Sequence, residues 1–171
     1  MMRLNGIRIK LPKTEKGAVN FLNNCERRKR FVKDVKGHYK KHLKKAKHDL
    51  YRAIDEFEDG CWDWTIVKSY YAIFHAGNAL LSRKKGVFSK DHSCLIIALK
   101  IWDLIGNELF SRLRKVYERF SDTVSLDLSF QLRKISQYDV DLWERLTRKD
   151  AKLVLDLAKE FVEWVEGEVF D

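Results

Sequence analysis

Proline and long apolar runs are scarce in this 171-residue chain. Pro12 is its only proline, so no proline interrupts a helix in the rest of the chain, which favours an all-α fold. No apolar run approaches the ~18 residues that a membrane-spanning helix needs, and no secretory signal peptide is recognisable. We therefore expect a cytoplasmic protein without a membrane segment.

Cysteines are few as well, and their spacing is uninformative. Cys25, Cys61 and Cys94 are odd in number and far apart. Without a C-x-x-C pair they indicate neither a zinc site nor a disulfide framework, and we expect free thiols in a reducing cytosol. A glycine-rich phosphate loop, G-x-S-x-G and H-E-x-x-H are also missing, so the common nucleotide-binding and hydrolase motifs do not apply.

Positive charge is concentrated at the start of the chain. Residues 1–52 hold 17 Lys and Arg against 4 Asp and Glu, a net charge of +13, whereas residues 53–171 hold 17 against 21, a net charge of −4. A basic segment of this kind attracts polyanions, of which nucleic acid is the usual one. A solvated surface that only aids solubility is the alternative. The predicted basic patch consists of Arg27, Arg28, Lys29, Arg30, Lys40, Lys41, Lys44 and Lys45.

Apolar residues at helical spacing predict four long helices and some short ones. Capping residues and glycines set their ends. The predicted boundaries are Tyr39 to Gly60, Asp63 to Gly86, Ser89 or Asp91 onward with a bend or break at Gly106, and Thr147 onward. The segment "SDTVSLDLSF", residues 121–130, alternates like a strand but has no strand to pair with, so we expect a loop or an extended connection.

These elements predict an all-α fold, an up-and-down bundle of four to five helices over residues 38–171. Residues 1–37 form a basic N-terminal extension with a short helix over residues 18–35.

The second long helix, "SYYAIFHAGNALLSRKKG" at residues 69–86, is unusual because polar side chains lie among its apolar ones. At about 100° per residue, its side chains separate into three faces. The core face holds Ile66, Tyr70, Ile73, Phe74, Gly77, Leu80 and Leu81. A small-residue face, Ala72, Ala76 and Ala79, would let another helix or a second copy of the chain approach closely.

The third face is a polar strip, Tyr71, His75, Asn78 and Ser82. It is either a set of polar groups satisfied inside the bundle or the wall of a binding groove. Cations beside the Gly86 turn precede a helix N-terminus, where backbone N–H groups favour an anion; an ordinary charged loop is the alternative. The candidate nucleotide- or RNA-binding residues are Tyr71, His75, Asn78, Lys84, Lys85, Lys90, His92 and Arg133. For Arg133, an ion pair with Asp139 is the alternative.

One group of residues has metal-ligand spacing. Asp34, His38 and His42 are four residues apart and would line one face of a helix, a geometry that can hold a metal. The lysines around them oppose a cation, so we expect a basic surface helix, no metal and no cofactor.

The unusual helix and the "SKDHSCLIIALK" that follows resemble the signature of the HEPN family (higher eukaryotes and prokaryotes nucleotide-binding). "KKAKHDLYRAIDEFEDGCW" is similar to the first helix of that family, "LRKISQYDVD" to its R-x-x-x-D/Q-Y-D element, and "AKLVLDLAKEFVEWVE" to its last helix. The resemblance spans residues 38–168. It implies a helical bundle, commonly a homodimer, with RNA- or nucleotide-related work, as a ribonuclease toxin or as the partner of a small nucleotidyltransferase in a toxin–antitoxin or stress-type system.

The nuclease branches of the family carry an Arg, four to six residues and a His. Here Arg30 and His38 have seven residues between them, and Arg83 and His92 have eight. We therefore expect a binding protein that is not a nuclease. The alternatives are a metal-independent ribonuclease with His75 or His92 as acid or base, and a non-enzymatic module that dimerises through its alanine face.

Overall fold

A computed structural model of the chain describes residues 10–128 and 140–171. The elements are α1 (Glu15–Arg27), β1 (Phe31–Lys33), α2 (Tyr39–Glu58), α3 (Trp62–Lys85), β2 (Val87–Ser89), α4 (His92–Ile101), α5 (Asn107–Leu128), α6 (Val140–Arg145) and α7 (Arg148–Phe170). The expectation of a mostly helical, all-α fold is confirmed.

The core surrounds α3, which packs against α2, α4, α5 and α7. Its predicted core face is buried except for Phe74, which is partly exposed, and Ile66 and Leu81 are fully enclosed. On α7, the apolar stripe that includes Val154 and Phe161 is buried too. Because α3 is covered on most sides, its polar side chains must find partners or meet solvent at its few open positions.

The alanine face of α3 does not serve a second copy of the chain. Ala72, Ala76 and Ala79 are each 0% exposed within one chain. Neighbouring helices already cover this face, so the prediction that another helix approaches it closely is confirmed, and the alternative of a dimer through it is wrong.

Most predicted helix ends are confirmed by their caps. Gly86 ends α3 in the left-handed conformation with φ 67°, which glycine adopts without strain. The Asp91 side chain accepts from the Cys94 N–H at 3.0 Å and caps α4, and Thr147 forms a capping box with Asp150 at the start of α7. The cap of α3 is Cys61, so the prediction of Asp63 there is wrong by two residues.

The predicted loop at residues 121–130 is wrong as far as the structure describes it, because α5 runs to Leu128. Extending an existing helix adds a backbone hydrogen bond per residue without a new nucleation cost. An isolated strand would leave those backbone groups unpaired.

The N-terminal segment contains a strand that the sequence does not suggest. Phe31 pairs with Ser89, and Lys33 with Val87, in an antiparallel two-stranded ladder of β1 and β2. The short helix predicted over residues 18–35 therefore ends at Arg27. Further upstream, Leu11 is buried, and its N–H donates to Glu118 Oε1 at 3.2 Å.

Cys25 and Cys94 form a disulfide, with their Cα atoms 5.9 Å apart. The prediction of three free thiols is therefore wrong, and only Cys61 is free. The 69-residue separation hides this pairing in the sequence. It arises because α1 packs against α4, where both cysteines are fully buried.

None of the described helices is long and apolar enough to cross a membrane.

Candidate functional site

A groove of about 880 Å³ opens between the start of α2 and the end of α3. We call it the basic groove, because five of its lining residues are Lys or Arg and only one is acidic. It is lined by Lys33, Asp34, Val35, Lys36, Gly37, Tyr39, Lys40, Ser82, Arg83, Lys85, Gly86 and Val87.

The β1–β2 ladder brings two distant basic stretches together to form this groove. It places Lys33 opposite Val87, and the N–H of Asp34 donates to the carbonyl of Gly86 at 2.8 Å. The left-handed turn at Gly86 then reverses the chain after the basic end of α3. As a result, the lysines before α2 lie beside the "RKK" that ends α3.

Several cations of the groove have no acidic partner in the part of the chain that the structure describes. Lys33, Lys36 and Lys85 are exposed, and within residues 10–128 and 140–171 no carboxylate lies within 4.0 Å of their ammonium groups. Arg83 is held differently, since its Nε donates to the carbonyl of Val169 at 3.1 Å. Its guanidinium also lies 5.5 Å from the centre of the Tyr39 ring.

One buried carboxylate and two imidazoles adjoin the groove. The Asp34 side chain is 2% exposed, and its Oδ1 lies 2.5 Å from His38 Nδ1. Its Oδ2 lies 3.4 Å from His42 Nε2. Burial acts to raise the pKa of Asp34, but hydrogen bonds from Ser82, the N–H of Val35 and His38 outweigh it and lower that pKa. Burial lowers the pKa of His42, which the charge of Asp34 opposes.

The structure corrects how these three residues come together. The sequence places all three on one helix face, but α2 begins only at Tyr39. Asp34 lies in the connection before the helix, and the bend of that connection brings its carboxylate to the imidazoles of His38 and His42.

A second buried carboxylate, Asp49 of α2, was missed by the sequence reasoning. Its side chain is 3% exposed and its Oδ1 accepts from Lys45 Nζ at 2.5 Å. His75 Nε2 lies 3.9 Å from its Oδ2. The signal for Asp49 is visible in the sequence, because it stands three residues after Ala46 and four before Ala53, in the apolar stripe of the helix.

The two candidate catalytic histidines are both held neutral by burial. Burial lowers the pKa of His75 to about 4, with Asp49 opposing the shift. Burial also lowers the pKa of His92 to about 4, opposed by Asp91. The ring of His92 stacks on Phe74, with centroids 4.0 Å apart.

The ring of Tyr71 lies close to both histidine rings. Its ring centroid lies 6.4 Å from that of His75 and 6.1 Å from that of His92. All three side chains are partly exposed, so the Tyr71 and His75 part of the polar strip reaches the surface, as a binding role would need.

The other half of the polar strip is closed. Asn78 is 1% exposed. Its Nδ2 donates to the carbonyl of Ser89 at 3.1 Å, and its Oδ1 accepts from the N–H of Ser89 at 2.8 Å. Ser82 is buried as well. The amide of Asn78 therefore holds α3 to the end of β2, and both of its polar atoms are already used.

The remaining candidate binding residues are dispersed. Lys84 lies 3.9 Å from Glu168, whereas Lys90 is exposed and its N–H donates to the carbonyl of Arg30 at 3.0 Å. Arg133 and Asp139 both lie outside the described residues. Neither Lys84 nor Lys90 lines the basic groove.

The predicted basic patch also divides. Lys40 alone among its members lines the basic groove, and Lys45 is paired with Asp49. Lys41 and Lys44 are exposed on α2. Arg27 ends α1, and Arg28 to Arg30 form the turn that leads into β1.

The chain was compared with models of known protein families and with curated proteins. The family model described as "HEPN domain" matches residues 39–168. No curated protein matches the chain.

Proposed function

The chain belongs to the HEPN domain family, and on this premise we propose that it binds RNA or a nucleotide through its basic groove. The observation that carries the proposal is the set of exposed groove lysines, Lys33, Lys36 and Lys85, without a carboxylate partner among the described residues. Like charges gathered in one concave surface raise the local concentration of anions. Phosphate groups are the anions that this family membership favours.

The size and lining of the groove agree with such a ligand. A volume of about 880 Å³ lies within the range of ~300–1,000 Å³ that small-molecule sites occupy. Tyr39 adds an aromatic ring to the cations, and a base stacked on an aromatic side chain contributes ~1–3 kcal/mol. A mononucleotide or a few nucleotides of a single strand would use both features.

Binding of a labelled single-stranded RNA, followed by fluorescence anisotropy across a salt series, tests the proposal. We expect log affinity to fall linearly with log salt, because bound phosphates release counterions. Lys36→Ala and Lys85→Ala should each weaken binding and reduce the magnitude of the salt slope by ~0.7. Lys159→Ala removes an exposed lysine of α7 outside the groove and is the matched control.

An affinity that does not depend on salt, or equal losses in the groove variants and the control, would contradict the proposal. Competition by a free nucleotide separates the two ligand classes. A nucleotide that displaces the RNA at similar concentration indicates a mononucleotide site, whereas weak competition indicates a strand.

Family membership also supports a homodimer and a small nucleotidyltransferase partner, in a toxin–antitoxin or stress-type system. Light scattering of the purified chain tests the dimer. Co-purification with a nucleotidyltransferase encoded beside it tests the partner, and a chain that elutes alone would count against it.

A further inference from the structure

We propose that Asp34, His38 and His42 form a binding site for a divalent transition-metal ion such as Zn²⁺, in the wall of the basic groove. The proposal reverses the expectation drawn from the sequence. There, we expected no metal because the charges of the neighbouring lysines would repel a cation.

The donor atoms already lie close together. One nitrogen from each imidazole and one carboxylate oxygen all lie within 4.8 Å of one another. In a tetrahedral zinc site with bonds of ~2.0–2.2 Å, neighbouring ligand atoms are roughly 3.4 Å apart, and His42 Nε2 lies 3.4 Å from Asp34 Oδ2. His38 Nδ1 is closer, at 2.5 Å from Asp34 Oδ1, so these two atoms would move apart by about 1 Å when an ion replaces the hydrogen bond between them.

Two of these donor atoms are buried and face each other without good hydrogen-bond geometry. Within the described part of the chain, His42 Nε2 and Asp34 Oδ2 lie 3.4 Å apart, yet neither makes a well-formed hydrogen bond and solvent reaches neither atom. The Asp34 side chain is 2% exposed. Because buried polar atoms in proteins are nearly always well paired, an ion bound between these two atoms would satisfy both.

The lysines do not oppose the ion as the sequence suggests. Lys33, Lys36, Lys40 and Lys41 are exposed, so water screens their charges. Within the described part of the chain, Asp34 forms ion pairs with His38 and His42 and with no lysine.

Neighbouring groups hold the ligands in place. The N–H of Val35 donates to Asp34 Oδ1 at 2.8 Å, and the N–H of Asp34 donates to the carbonyl of Gly86. The ring of Phe88 packs against both imidazoles, with centroids 5.4 Å from His42 and 6.4 Å from His38. Partners of this kind orient the ligands of metal sites and raise their affinity.

Three protein ligands leave one tetrahedral position open. Of the three side chains only that of His38 is substantially exposed, at 33%, so water beside its ring can fill that position. If the proposed function also holds, a phosphate oxygen of the bound ligand can take the place of that water.

Titration of the full chain with Co²⁺ after treatment with a chelator tests the site, without RNA present. We expect the visible absorption of four-coordinate Co²⁺, one ion per chain, and its displacement by Zn²⁺. His42→Ala should weaken binding by at least roughly a hundredfold. His48→Ala removes an exposed imidazole of α2 that lies outside the trio, and it should bind as the parent does.

Circular dichroism of each metal-free variant shows whether the fold persists, and His42→Gln replaces His42→Ala if the latter unfolds. No Co²⁺ absorption by the parent, or equal affinity of parent and both His42 variants, would overturn the proposal. Lys36→Ala and Lys85→Ala should bind metal as the parent does. Loss of RNA binding and loss of metal binding can therefore be distinguished from each other.

Discussion

The side-chain amide of Asn78 occupies both backbone hydrogen-bonding groups of Ser89. Its Nδ2 donates to the Ser89 carbonyl at 3.1 Å, and its Oδ1 accepts from the Ser89 N–H at 2.8 Å. Both residues are 1% exposed. One side chain of α3 therefore fixes the end of β2, and with it the turn that forms one wall of the basic groove.

Asn78→Ala should destabilise the protein strongly. It removes both hydrogen bonds and leaves a buried N–H and a buried carbonyl without partners, at ~1–3 kcal/mol for each group. We expect the free energy of unfolding, measured by urea denaturation, to fall by ~2–4 kcal/mol. Asn20→Ala, at an exposed position of α1, should change it by less than ~0.5 kcal/mol. Equal stability of the two variants would contradict the role of Asn78.

The Cys25–Cys94 disulfide should be detectable by thiol labelling. Denatured, unreduced protein should take up a label at Cys61 alone, and all three cysteines should react after reduction. Reduction should lower the free energy of unfolding by ~2–4 kcal/mol, because the bond restricts the unfolded chain. Cys61→Ser is the control and should keep the same sensitivity to reductant. Labelling of all three cysteines without reductant would show that the bond is not formed.

His92 should make the protein less stable in acid. Burial lowers its pKa from 6.5 to about 4 in the folded chain; the charge of Asp91 opposes this shift and that of His75 adds to it. As the pH falls from 6.5 towards 4, the imidazole of His92 becomes protonated in the unfolded chain but stays neutral in the folded chain. Protonation therefore favours unfolding. The loss reaches roughly 3 kcal/mol, at about 1.4 kcal/mol per pKa unit.

Unfolding in urea at pH 7, 5.5 and 4.5 measures this loss. His92→Gln should reduce the loss on acidification, although His75, whose pKa is also lowered to about 4, leaves part of it. If the free energy of unfolding falls by the same amount in the parent and in His92→Gln between pH 7 and pH 4.5, then the fold does not hold His92 neutral.

We expect labelled RNA to stay intact when it is incubated with this protein in the presence of a chelator. Acid–base cleavage without metal needs one imidazole to donate a proton. With pKa values of about 4 for both His75 and His92, only roughly one molecule in a thousand carries that proton at pH 7. Gel analysis of the RNA measures the outcome. Cleavage that both His75→Ala and His92→Ala abolish would instead establish the ribonuclease alternative.

Local sequence signals predicted the helices well. Three of these signals are the apolar stripe of α2, the glycine at the end of α3 and the Thr147–Asp150 capping box. Each depends on residues within a few positions of each other, so it can be predicted without knowing which other helices pack against it. The loop predicted over residues 121–130 was wrong at residues 121–128 because their strand-like alternation is also a local pattern, whereas α5 continues through them from Asn107.

The candidate site was predictable only in its components. The polar strip, the Gly86 turn and the Asp34–His38–His42 spacing were visible in the sequence. Their arrangement depends on the β1–β2 ladder, which pairs residues more than fifty positions apart, and no local pattern specifies it. The burial of Asn78 and the contact between Asp49 and His75 follow from that same packing.

The pairing of β1 with β2 has a consequence for how fragments of this protein should be cut. The family match starts at residue 39, but a fragment trimmed there would lose β1, Asp34 and Cys25. Ser89 would lose its strand neighbour, Cys94 its covalent partner, and the groove a wall. The scaffold that this chain shares with its family is therefore completed by the residues that precede it.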